Sequence, residues 1–508
     1  MAMRAGNHYK RLQAGQTSSD SDNSCVIEMV QLANDLRGEL RALHSTQAQV
    51  GDRRPPCPVI IGKVRDQTRN IDNGEYDPDH VAIGPYNYPR PKTQSKSPQL
   101  AKEHDKLMSL DKVVTAAKAL RPGMTVEVDV YVNELRCLEK SVRDCYGNDF
   151  DDMTSEQFVR MLLLDGCYIL SRLVGLQLGA QPMDDALGTA NAGVLSASRA
   201  EALGTANAGS LSAERAEALA VVRDVFYLAE NQIPFFVLAK IGELTGLDRN
   251  DRVIADIAKY ALDLMRIQKY AEAAPAVVPT DPGNLLHLLH MHLKPVAPSA
   301  SSAATVSGAK RVTVRRWRSA TEYYFAGVMF KRRDMSKEGP TRCILDVKLS
   351  SGSGTLEVPC LDIDAETWRL LRNLMELEQR NRETVGSHVT AYCVFMSQVA
   401  CTTKDVELLT KRGIIVHGHG NNDEVAKCFA DLCKGIMFDP NDAHHNYLRE
   451  TCYKLEKRFL SNPRRWMAWL RQKYFNNPWL AVGLLAAVIG LVCGFVQAVY
   501  SVLSYKQG

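Results

Sequence analysis

The sequence predicts a mainly α chain of the α+β class: a helical body, a small antiparallel β-hairpin element and a C-terminal transmembrane helix. Three observations carry this. Apolar residues recur at helical spacing through most of the region from Leu100 to Tyr270. Short alternating runs, GVMFKRR, CILDVKLS and TLEVPCLDI, the last two separated by SGSG, read as strands with one hairpin. From Asn476 to Tyr505 there is no charged side chain, and about 20 apolar residues suffice for a helix to cross a hydrocarbon core of roughly 30 Å.

In chain order, residues 1–52 read as a polar tail with one amphipathic helix, in which Val26, Met29, Val30, Ala33, Leu36, Leu40 and Leu43 share a face. The tail has no apolar core of the kind a secretory signal needs. Residues 53–273 form a helical half. It opens with a turn-rich stretch, NIDNGEYDPDHVAIGPYNYPRP, and continues with a helix carrying Val128, Tyr131, Leu135, Leu138 and Val142 on one side. Thr154 and Gln157 make a capping-box pair ahead of FVRMLLLDGCYIL. A 16-residue unit, ALGTANAGVLSASRAE, recurs as ALGTANAGSLSAERAE, so 186–217 reads as a duplicated surface insertion; a solenoid needs three or more units. Residues 274–310 are a Pro-, Ala- and Ser-rich linker broken by LLHLLHMHL. Residues 311–475 hold the small sheet and further helices, one of them capped after Thr402 and Thr403.

The final segment, 476–505, sets the expected topology. Seven basic residues lie between Lys454 and Lys473 against one acidic residue, Glu456, and only Lys506 lies beyond. The basic flank stays inside, which places a single-pass protein with its body in the cytoplasm. Trp479, Tyr500 and Tyr505 suit the membrane interface. Gly490, Gly494 and Ala498 make a small-residue stripe of the kind that lets membrane helices pack as a homodimer. Thirteen cysteines without a CxxC pair, and the absence of an Asn-x-Ser/Thr acceptor, fit a reducing compartment.

Composition excludes several function classes. With 45% hydrophobic and 24% charged residues and a formal charge of +4, the chain is ordinary globular material, and no nucleic-acid partner is expected. Walker, dinucleotide-binding, nucleophile-elbow and HExxH motifs are absent. His287, His290 and His292, the pair His417 and His419, and the pair His444 and His445 lack the spacing of a structural zinc site, so they read as packed or surface histidines with no metal or cofactor. Asp165, Glu230 and Glu378 interrupt apolar runs. Such carboxylates serve either as a buried acid/base set or as acceptors for helix ends. With no nucleophile, oxyanion donor or phosphate loop beside them, the second use is favoured and no catalytic activity is expected; an enzyme working through these carboxylates is the alternative. Pro234 removes a main-chain donor inside VFYLAENQIPFFVL, so ENQIP reads as a helix kink whose freed carbonyls are met by Asn231 and Gln232.

Taken together, YDPDHVAIGPYNY (76–88), FVRMLLLDGCYIL (158–170), DVFYLAENQIPFFVL (224–238), SATEYYFAGVMF (319–330), CILDVKL, TLEVPCLDID, RNLMELEQ (372–379), DVELLTKRGII (405–415) and YFNNPWLAV resemble the plant family called domain of unknown function 247, over nearly the whole chain from about Pro58 to Tyr505. Ala229 before ENQIP, Asn87 and Tyr88 after IGPY, and the duplicated block depart from the family pattern. The resemblance implies a mostly helical plant protein with a C-terminal membrane helix and no established catalytic residues. Some grass members are associated with the pollen side of self-incompatibility. The expectation is thus a membrane-tethered interaction or recognition protein with unknown protein partners.

Overall fold

In a computed structural model, the described residues are 59–71, 74–88, 103–121, 127–174, 221–247, 252–274, 281–296, 316–336, 341–350, 354–442, 444–460 and 478–507. The amphipathic helix expected within 1–52 and the duplicated block 186–217 lie outside them.

After the short helix α1 (Asp66–Arg69), the first half is built from α2 (Glu103–Leu120), α3 (Val128–Arg143), α4 (Ser155–Leu173), α5 (Phe235–Thr245) and α6 (Arg252–Ile267). Helix α4 opens on the predicted capping box: the Thr154 side chain accepts from Gln157 N, and the Gln157 side chain accepts from Thr154 N. Its apolar residues go round the whole cylinder, and such a helix has to be covered on every side. Accordingly α2, α3, α5 and α6 all pack on it.

The second half contains α7 (Leu285–His292), α8 (Ala320–Phe325), β1 (Met329–Arg333), β2 (Lys348–Leu349), β3 (Thr355–Pro359), β4 (Leu361–Ile363), α9 (Thr367–Arg380), α10 (Arg382–Val385), α11 (His388–Val399), α12 (Thr403–Lys411), β5 (Ile415–His417), α13 (Asn422–Leu432), α14 (Arg449–Phe459) and α15 (Pro478–Gln507). Within 274–310 the run LLHLLHMHL forms α7, which is buried between α6 and α9. Helix α9 is the centre of this half, with α7, α11 and α13 against it. A continuous hydrophobic core runs through both halves, from Val59 to Leu455.

The mainly helical body with a minor strand element is what the structure has, with two corrections. The strands are not purely antiparallel: β2 and β3 form the expected hairpin, but β1 pairs with β3 in parallel, Met329 opposite Thr355, and β4 pairs in parallel with β5. Parallel partners need an intervening crossover, and the alternation within each run carries no information about which neighbour it will meet. Of the alternating run CILDVKLS only Lys348–Leu349 is a strand, because Asp346 turns the chain by accepting from Arg342 N and Cys343 N.

The second correction concerns the C-terminus. The charge-free run does form a helix, α15, yet among the described residues no helix is long and apolar enough to cross a membrane. The predicted transmembrane helix is therefore not supported. The interface roles of Trp479, Tyr500 and Tyr505, and the membrane packing of Gly490, Gly494 and Ala498, lose their basis with it. Around Gly490 and Gly494 an added Cβ would meet nothing within 4 Å.

Candidate functional site

The described residues of 59–71 and 74–88 carry almost no regular structure, yet Val59, Ile61, Val64, Tyr76, Val81 and Ile83 are buried. An irregular strap laid into a core brings main-chain N–H and C=O groups that no ladder satisfies, and each left unpaired costs about 1–3 kcal/mol. Side chains far away in sequence meet them. Asn381 accepts from Ile60 N at 2.7 Å and donates to Ile60 O at 3.0 Å. Asn373 and Arg369, on α9, donate to Glu75 O and Asp77 O respectively. Asp224 accepts from His80 N at 2.6 Å and Val81 N at 3.0 Å, Lys106 donates to Ala82 O at 2.7 Å, and Asp165 accepts from Gly84 N at 2.9 Å.

ENQIP is the middle of this arrangement, and its three polar side chains point to three different places. Glu230 accepts from Val64 N and pairs with Arg69 at 2.7 Å. Asn231 is fully buried and uses all of its capacity: Oδ1 accepts from Ile83 N at 2.6 Å and Asn87 Nδ2 at 3.0 Å, while Nδ2 donates to Val81 O at 2.9 Å and Asp224 O at 3.1 Å. Gln232 donates to Val225 O and Leu228 O and accepts from Leu285 N and Leu286 N, two of the orphan donors at the start of α7. Pro234 is the residue before α5, with φ −58° and ψ 137°. ENQIP is thus a break between the helical run 221–227 and α5 instead of a kink within one helix, because proline holds its own φ and pushes its predecessor to extended backbone. Gly84 has φ +72°, and a Cβ there would stand 2.5 Å from Gln232 O, so the strap can approach ENQIP only with glycine at this point.

The three carboxylates singled out by sequence share no partner. Asp165 pairs with Lys106 at 2.6 Å beside a cavity of about 200 Å³ that neither Glu230 nor Glu378 lines. Burial pushes the Asp165 carboxyl up, opposed by the Lys106 ammonium. Glu378, fully buried on α9, accepts from Val389 N at 2.8 Å and Thr390 N at 2.6 Å. Those are first-turn donors of α11, whose own N-cap, Ser387, makes no side-chain cap bond, so Glu378 caps that helix from outside it. Burial raises its carboxyl as well. His290 Nε2 lies 2.7 Å and His388 Nδ1 3.9 Å from Glu378 Oε1. Among the described residues these three form a group able to hold a metal, their donor atoms all within 4.8 Å of one another. Burial drives both imidazoles down to about 3, so they are neutral at pH 7.

His287 accepts from Gly283 N and His292 contacts Leu288 O, both as buried packed residues; His417 ends β5, and His419, His444 and His445 lie in loops, all four partly or fully exposed. Sequence reasoning missed Lys106, Asp224, Arg369, Asn373, Asn381 and His388. Asp224 carried the same signal as Glu230, a carboxylate in an apolar run; the others gave none, since polar residues at helix positions read as surface.

On the outer side of α4 lies a groove of about 360 Å³ between α2, α3 and α4, lined by Leu107, Leu110, Val128, Val132, Val159 and Leu163 and edged by Arg136, Glu156 and Arg160. Leu107 and Val128 are 44% and 41% exposed, and Met108 beside them 48%.

UPF0481 protein At3g47200 of Arabidopsis thaliana is 25% identical over 458 residues, 85% of this chain and 83% of that protein. Putative UPF0481 protein At3g02645, from the same plant, is 25% identical over 180 residues, 35% of this chain and 32% of that protein. No solved structure matches. The family described as plant protein of unknown function, DUF247, matches residues 61–493, which include the strap, ENQIP and both helical halves. The chain belongs to this DUF247 family of plant proteins.

Proposed function

We propose that the chain is a non-catalytic plant interaction protein whose groove between α2, α3 and α4 receives an amphipathic helix of a partner protein. The groove carries the reading: large apolar side chains stand exposed around one concavity, and such a patch on a folded protein marks a contact surface. A concavity walled by three helices is the kind of site into which a helix is laid. The absence of a catalytic role for Asp165, Glu230 and Glu378 is supported by their separate partners, each set of which holds a piece of backbone.

The test is side-by-side affinity capture with the wild-type chain and the L107D/V128D double variant. Both positions are exposed, and circular dichroism and thermal melting establish that the variant folds. The reading expects a defined partner retained by the wild type and lost with the double variant. Equal retention by both, or nothing above an unrelated control protein, overturns it. The finer role, pollen-side recognition in self-incompatibility, forms part of the same proposal. It requires the groove-dependent partner to come from stigma extract and not from leaf.

A further inference from the structure

We propose that His290, Glu378 and His388 form a metal site for zinc or another first-row divalent cation, tying α7, α9 and the N-terminus of α11 together. The inference is independent of the groove. It begins from a contrast among the buried carboxylates. Asp165 has Lys106 at 2.6 Å and Glu230 has Arg69 at 2.7 Å. Glu378 is more buried than Glu230, and among the described residues its ion-pair partners are two imidazoles, His290 at 2.7 Å and His388 at 3.9 Å. Glu378 has no lysine or arginine partner among the described residues, and His290, Glu378 and His388 instead bring two ring nitrogens and a carboxylate oxygen within 4.8 Å of one another, a donor set of the kind that holds a cation.

The donor set is two imidazole nitrogens and one carboxylate oxygen, which suits zinc and its first-row neighbours and disfavours calcium or magnesium, whose ligands are oxygens. Zinc bonds of about 2.0–2.2 Å place tetrahedral ligand atoms roughly 3.3–3.6 Å apart. Metal binding would therefore open the 2.7 Å His290–Glu378 hydrogen bond and bring His388 Nδ1, now 3.9 Å from Glu378 Oε1, closer, with all the donor atoms starting within 4.8 Å of one another. Each ligand comes from a different element: His290 from α7, Glu378 from α9, and His388 from the first turn of α11. The carboxylate is oriented independently of any metal by Val389 N and Thr390 N. Such outer hydrogen bonds are what fixes a ligating carboxylate. His287 is the next ring along α7, its centroid 6.1 Å from that of His290. Three protein ligands leave a coordination position for water, as in open zinc sites.

The experiment uses the full chain, purified without a histidine tag or chelator. Metal content, titration with zinc chloride, and the visible spectrum after loading with cobalt(II) are measured, with thermal melting in the presence of zinc and of EDTA. The proposal expects one equivalent per chain, a tetrahedral cobalt band without thiolate charge transfer, and a melting temperature raised by zinc and lowered by EDTA. H388Q, which leaves the Glu378 cap on Val389 and Thr390 in place, should weaken binding at least tenfold, and H417N/H445N on the surface should leave it unchanged. If H388Q does not fold, the wild-type stoichiometry and spectrum decide. No bound metal with unmoved melting, a thiolate band, or binding that survives H388Q and falls with H417N/H445N overturns the site.

Discussion

Replacing Asn231 with alanine tests whether ENQIP is a clamp. The side chain is fully buried and makes four hydrogen bonds, three of them to backbone: Ile83 N, Val81 O and Asp224 O. Alanine leaves those three groups without partners in a site closed to solvent. At about 1–3 kcal/mol for each unsatisfied buried group, and allowing for partial relaxation, the variant should lose about 3–6 kcal/mol. That is a large fraction of the 5–15 kcal/mol typical of a folded domain. The assay is urea unfolding by circular dichroism, read together with amide exchange of residues 80–84. Faster exchange should begin at Val81 and Ile83, because their backbone is what Asn231 holds. A loss below about 1 kcal/mol with unchanged exchange at 81–84 would refute the clamp. If, in addition, partner capture disappeared, ENQIP would have to be read as a recognition surface.

Two further predictions concern Gly84, beside ENQIP, and Asp442, in a separate turn. Gly84→Ala puts a Cβ 2.5 Å from Gln232 O at φ +72°, so it should cost at least about 2 kcal/mol, seen as a lower melting temperature, whereas Gly74→Ala, with open space around it, should change little. Asp442 is held down to about 2 by the N–H of His444, with the His445 ring and N–H assisting. A depressed carboxyl stabilises the fold above its unfolded pKa and loses that contribution as pH falls through the folded one. Wild type should therefore exceed Asp442→Asn in stability at pH 5, and the gap should close between about pH 4 and 2; a gap that persists at pH 2 contradicts the assignment.

Much of the fold could be read locally. Thr154 with Gln157, and Thr402 ahead of α12, mark helix starts because a cap is made within three or four residues. Helical spacing located α3, α4 and α9, and the SGSG turn located the β2–β3 hairpin. The parallel pairing of β1 with β3 was not legible, since alternation fixes a face and leaves the neighbour open. The C-terminal run shows the opposite failure: apolar composition produced a helix, but among the described residues none meets the length and apolarity of a membrane span.

The candidate residues divide in the same way. Sequence by itself determined that Asp165, Glu230 and Glu378 would be buried polar groups needing partners, and that Asn231 and Gln232 would serve main-chain groups beside Pro234, because an apolar run and a proline impose those demands locally. Only the tertiary structure decided who the partners are. Asn231 meets Ile83, Asn381 meets Ile60, and Glu378 meets His290 and the first turn of α11. The first two pairs join positions on opposite sides of the chain's order, where periodicity carries no information. A buried hydrogen bond needs donor and acceptor about 3 Å apart in space, and separation along the sequence does not enter that condition.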